Sequence, residues 1–134
     1  MVKVIFPDNI PKDFLIKGDN DREIAGYVYP NDPTRERAGI YVDGELVGFM
    51  TPRQVKDGRW RVGALYINPK KRGKGVAADA IKEFFKDKKA SPVPIGVDNI
   101  SSQKTFSKAG FQLDPNNNEP ITWKDGWLSQ RWIK

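Results

Sequence analysis

The chain contains neither cysteine nor histidine, and each absence removes a class of chemistry. Without cysteine there is no disulfide, no thiol nucleophile and no cysteine metal site. Without histidine there is no Ser-His triad, no histidine metal site and no histidine general base. Acid–base chemistry is left to carboxylate, tyrosine, lysine, an amino terminus or water, and no metal is expected. No run of about 18 apolar residues and no signal-peptide pattern occurs, so no membrane is expected and a cytoplasmic setting is. The 134 residues show no repeat, linker or low-complexity segment. One domain spanning 1–134 is expected, long enough to bury a core.

The most informative segment is Arg72-Gly73-Lys74-Gly75-Val76-Ala77. A strand-like run, Trp60 to Asn68, leads into it through Pro69-Lys70-Lys71. A helical pattern leads out, with Val76, Ala77, Ala80, Ile81, Phe84 and Phe85 on one face. A glycine turn that opens a helix presents bare N–H groups at the positive end of the helix dipole, an anion site suited to phosphate. Lys70, Lys71, Arg72 and Lys74 add charge beside it. The segment is not a P-loop, because Val76 and Ala77 follow the second glycine where Lys-Ser/Thr is needed. Nor is it a dinucleotide fingerprint, because Asp79 stands where the third glycine is needed.

A second segment follows: the short apolar strand Pro92 to Val97, then Asp98-Asn99, a helix over 100–109, and Gly110-Phe111. Together the two segments resemble the GNAT N-acetyltransferase superfamily. Arg72, Gly75 and Ala77 match its Arg/Gln-x-x-Gly-x-Gly/Ala motif in register, and Asn99, Phe106, Gly110 and Phe111 match the spacing of its next motif. The motifs cover about residues 60 to 112. The resemblance implies an α/β (mixed α+β) fold with a central mixed, twisted sheet and flanking helices. It also implies an acyl-CoA-dependent N-acyltransferase, with acetyl-CoA as co-substrate and acetyl transfer to a primary amine by direct attack. Backbone from Arg72 through Gly73, Lys74, Gly75 and Val76 to Ala77 would hold the diphosphate, and Leu65 and Ile67 would pair with the pantetheine amides. Asn99 would hold the pantetheine arm. Asparagine is also a favoured helix N-cap, and both readings can hold together.

The rest of the chain agrees in part. Residues 1 to 6 read as a strand, and Asp43-Gly44 joins strands 38–42 and 45–50 in a hairpin. Gly63 inside the strand at 60–68 marks either a bulge or a weak strand position. Between residues 7 and 36 a strand from Ile24 to Tyr29 is expected, but no amphipathic helix of normal length. The family usually carries two helices there, so the N-terminal helical region is reduced where the acceptor site would lie. Trp123, Trp127 and Trp132 suit cross-strand pairs on a terminal hairpin better than a base-stacking platform.

Catalytic groups are harder to place. The family commonly has a tyrosine at the aromatic position of its second motif, to protonate the leaving thiolate; here it is Phe106. Tyr66, Ser102 or a water could substitute, although Tyr66 also suits an ordinary strand aromatic. The strand at 60–68 holds no carboxylate, and Glu45 is the nearest candidate base, although it also suits a solvated turn. The alternative is a non-catalytic module on the same scaffold that binds CoA, nucleic acid or protein. The net charge of +6 suits solubility and also fits an anionic partner. Coenzyme A has a diphosphate and a phosphomonoester, which the basic loop at 70–74 could answer alone. The acceptor amine, whether small molecule, protein or nucleic acid, is not written in these residues.

Overall fold

The computed structural model describes residues 1–24 and 36–134. β1 (Val2–Ile5) is followed by α1 (Lys12–Ile24), β2 (Ala38–Val42), β3 (Glu45–Gln54) and β4 (Trp60–Ile67). A 3-10 turn at Pro69–Lys71 leads to α2 (Val76–Phe85), β5 (Val93–Gly96) and α3 (Ile100–Lys108). The chain ends in β6 (Gln112–Leu113), β7 (Ile121–Thr122) and β8 (Leu128–Ile133).

The fold is the expected mixture of helices and sheet, with one correction to its sheet. The strands form two antiparallel sheets, β1-β2-β3-β4 and β5-β8-β6, with β7 also on β8. Among the described residues their parallel link is a single bridge, Trp60 to Ala90. There the Trp60 N–H donates to the Lys89 carbonyl at 2.8 Å, and the Ser91 N–H to the Trp60 carbonyl at 2.7 Å. Two features stop the pairing from continuing. Pro92 and Pro94 have no N–H to offer β4. On β4, Gly63 and Ala64 both stand opposite Thr51, because the register shifts between the Met50–Leu65 and Pro52–Val62 pairs. Such a bulge bends its strand and raises the local twist. Gly63 therefore lies in a bulge.

The hairpin is as expected: Asp43 (φ 50°) and Gly44 (φ 85°) both take the left-handed conformation that a two-residue turn requires. α1 is a correction. Its thirteen residues escape the amphipathic pattern because its contact with the sheet is made partly by a glycine. A side chain at Gly18 would collide with the Phe49 ring. Phe14 meets Phe49 and Tyr66 edge-on, with ring centres 6.3 and 5.7 Å away. The expected strand from Ile24 to Tyr29 starts on the last residue of α1 and otherwise lies outside the described residues.

The core lies between the sheets and α2. Val76, Ala80, Ile81, Phe84 and Phe85 are buried against Ile40, Val47, Met50 and Ile95. Phe6, Trp60 and Phe84 are mutually edge-on at 5.6 to 5.9 Å. α3 buries less than expected: Ala109 is buried, but Ile100 is 54% exposed. Trp123 and Trp127 do pair across their turn, with rings 5.7 Å apart. Trp132 does not join them and packs against the core instead.

The end of α3 gives the second motif a structural meaning. The Gly110 N–H donates to the Ser107 carbonyl (3.0 Å), and the Phe111 N–H to the Phe106 carbonyl (2.9 Å). Gly110 has φ 97°, and the Phe106 and Phe111 rings meet edge-on at 5.1 Å. This is a Schellman motif with its hydrophobic contact. The spacing of Phe106, Gly110 and Phe111 is therefore what ends this helix. Gly110→Ala is expected to cost about 1–2 kcal/mol, because an L-residue is strained in that conformation. Chemical denaturation checks this; an unchanged midpoint would count against the assignment.

Candidate active site

β4 is the outermost strand of its sheet, and beyond the Trp60 bridge no described strand pairs with its outer edge. The divergence of the sheets leaves a cavity of about 650 Å3 between β4, the start of α2 and α3. That volume suits a cofactor-sized ligand. On β4 its wall includes Gly63, Leu65 and Ile67. An edge strand keeps backbone donors and acceptors free to pair with an extended ligand.

The loop after β4 is built in two steps. The Asn68 carboxamide oxygen accepts from the Lys70 N–H at 3.1 Å and starts the 3-10 turn. The Arg72 Nε then donates to the Ile67 carbonyl at 2.8 Å, and its guanidinium lies 5.7 Å from the centre of the Tyr66 ring. Arg72 thus ties the loop to the end of β4. Gly73 and Gly75 follow with φ 79° and 77°, and a Cβ at either would meet nothing within 4 Å.

No side chain caps α2. The first amide of the helix with a backbone partner is that of Asp79, which donates to the Gly75 carbonyl at 3.1 Å. The amides from Gly73 to Ala78 donate to no backbone group among the described residues. Free amides at a helix start, with the dipole behind them, form an anion seat. Gly73, Gly75, Val76, Ala77 and Ala78 all line the cavity.

Across the cavity stands α3. Asn99 caps it, its side-chain oxygen accepting from the Ser102 N–H at 3.1 Å. Gln103 steadies the approach, its amide nitrogen donating to the carbonyls of Gly96 (3.0 Å) and Val97 (3.1 Å). Asn99, Ser102 and Phe106 line the cavity.

Of the residues expected to hold the cofactor, Leu65, Ile67, Arg72, Gly73, Gly75, Val76, Ala77 and Asn99 line this one cavity, and Lys74 does not. The two expected catalytic residues are also outside its lining. Tyr66 is buried, its ring 5.6 Å from that of Phe49. Glu45 is exposed at the start of β3, with Lys71 3.5 Å away. Sequence reasoning missed Ser101, Lys104, Thr105 and Lys108 of α3, which also line the cavity. Their signal was available: they fall at i, i+3, i+4 and i+7, one stripe of a helix. A displaced pKa elsewhere marks no rival site. Tyr41 is raised mainly by its 2.6 Å hydrogen bond to Asp8, and then by burial, but it lies outside this cavity.

The sequence model of the acetyltransferase (GNAT) family matches residues 7–111, more than three-quarters of the chain. The protein belongs to that family. Solved structures of similar fold include Naa50 from Arabidopsis thaliana, in complex with the bisubstrate analogue CoA-Ac-MVNAL. It is 14% identical, with 99% of this chain and 98% of that one covered and a TM-score of 0.62. A GNAT family acetyltransferase from Elizabethkingia anophelis, with acetyl-CoA bound, is 18% identical over 98% and 94% of the two chains, at a TM-score of 0.57. The aminoglycoside acetyltransferase AAC(6')-Ib, in complex with coenzyme A and kanamycin, is 16% identical with a TM-score of 0.57. Of this chain 74% is covered, but the match spans only 65% of that enzyme. A search of curated proteins by sequence found no match. Among the described residues no helix is long and apolar enough to cross a membrane, and no cluster of metal-ligating side chains occurs.

Proposed function

We propose that the protein is an acyl-CoA-dependent N-acyltransferase that moves an acetyl group from acetyl-CoA to a primary amine. The observation that carries this reading is the cavity. It gathers the open edge of β4, the unpartnered amides at the start of α2 and the Asn99 cap, with more than thirty residues between β4 and Asn99. An elongated ligand with a diphosphate at one end and amides along its arm fits that set. In this reading the amides at 73–78 take the diphosphate, backbone at Leu65 and Ile67 takes the pantetheine amides, and Asn99 completes the grip on the arm.

Direct attack needs a neutral amine. An alkylamine with pKa about 10.4 is neutral in roughly one molecule in 2,500 at pH 7, so desolvation or a base must close the gap. Proximity and polarisation of the thioester carbonyl supply the remainder. Ser102, which lines the cavity, is a better candidate for proton delivery to the thiolate than Tyr66, which does not. Glu45 keeps a place as base only if its pairing with Lys71 yields when the acceptor arrives.

A second reading is favoured by one observation: Phe106 borders the cavity without a proton to give, and neither expected catalytic side chain does. A CoA-binding module without turnover would look like this. The two readings separate in an acceptor screen that follows thiol release from acetyl-CoA. Release that depends on an added amine supports the enzyme. Tight binding of acetyl-CoA with release at background for every amine class sinks it in favour of the module.

A further inference from the structure

The basic loop at 70–74 supplies only part of the positive charge around the cavity. Neither Lys70 nor Lys74 lines the cavity. Lys71 and Arg72 do, but Glu45 is 3.5 Å from the Lys71 ammonium, and the Arg72 Nε is turned to the Ile67 carbonyl at the end of β4. Two further charges stand on the α3 wall. Lys104 and Lys108 line the cavity from the exposed side of α3, one turn apart, and neither has an acid partner among the described residues. Like charges at this spacing repel, and an anion between them would relieve that repulsion.

We infer that Lys104 and Lys108 form a second phosphate subsite. It would take a phosphomonoester on the same ligand whose diphosphate lies on the amides at 73–78. The inference rests on the acyl-CoA reading, because coenzyme A bears such a group on its ribose, set apart from the diphosphate. Two flexible ammonium groups suit a solvent-facing monoester that offers no fixed orientation. Lys104 and Lys108 then make the protein distinguish coenzyme A from 3′-dephospho-CoA, which differs only in lacking that phosphate.

The test is calorimetric titration of both ligands at low ionic strength into wild type, the Lys104→Ala/Lys108→Ala double variant, and Lys82→Ala. Lys82 is exposed on α2 outside the cavity lining and controls for the loss of a surface lysine away from the cavity. Wild type and Lys82→Ala should bind coenzyme A about tenfold more tightly than dephospho-CoA, and the preference should shrink as salt is raised. The double variant should lose the preference and bind dephospho-CoA as wild type does. Equal binding of the two ligands by wild type, or an intact preference in the double variant, overturns the subsite and leaves the acyl-CoA reading standing. Failure of both ligands to bind wild type overturns the two together.

Discussion

Gly75→Asp should abolish the stabilisation that acetyl-CoA gives this protein. In wild type, ligand at a hundredfold excess over its dissociation constant should raise stability by about 2.7 kcal/mol by mass action. The substitution places a carboxylate among the amides expected to hold the diphosphate, where repulsion replaces attraction. It should not destroy the fold. A Cβ at Gly75 meets nothing within 4 Å, and aspartate is among the residues that tolerate a positive φ best. Gly126 supplies the control. It too has positive φ (85°) and open space around it, but it lies in the turn between Trp123 and Trp127. Gly126→Asp should lose about 1 kcal/mol of intrinsic stability and keep the full ligand-dependent shift in melting temperature. Equal ligand shifts in wild type and Gly75→Asp would remove the loop from the binding site.

Phe106→Tyr should raise turnover on any accepted amine, by up to about a hundredfold, the lower end of the range for a positioned general acid. Phe106 borders the cavity, where the acyl-CoA reading would put the thioester. The ring also packs edge-on against Phe111, and tyrosine can keep that contact. Helix stability should therefore change little, and a melting curve verifies this. Steady-state thiol release on wild type and variant is the measurement. An unchanged rate with an active wild type means that proton transfer to sulfur does not limit turnover. Ser102→Ala and Tyr66→Phe then become the next pair to compare. If wild type and variant both stay at background while acetyl-CoA binds, the non-catalytic reading gains.

Local chemistry made part of this protein legible. The glycines at 73 and 75, followed by an apolar helical stripe, announce a turn and a helix start whatever surrounds them. Asp43-Gly44 announces its hairpin in the same way. Asn99 declares a cap, and Gly110-Phe111 a helix end, without reference to any tertiary contact. Long-range features were not written so plainly. α1 hides because Gly18 replaces an apolar contact with close approach, and closeness leaves no hydrophobic residue to count. The split into two sheets depends on where β4 and β5 stop pairing. Pro92, Pro94 and Gly63 hint at that only once both strands are known to be neighbours. Lys104 and Lys108 were visible as a pair, but which way α3 turns them is set by Ala109 and Phe111 in the core. The same limit explains Tyr66 and Glu45: topology brings them near the cavity, while side-chain direction puts them outside its lining.

A crystal structure with acetyl-CoA bound tests the central claim most directly. The diphosphate oxygens should lie about 2.7–3.2 Å from backbone nitrogens of residues 73–78, with the pantetheine arm along Leu65 and Ile67 and Asn99 beside it. Acetyl-CoA found on another surface, with those amides still unpaired, would contradict it.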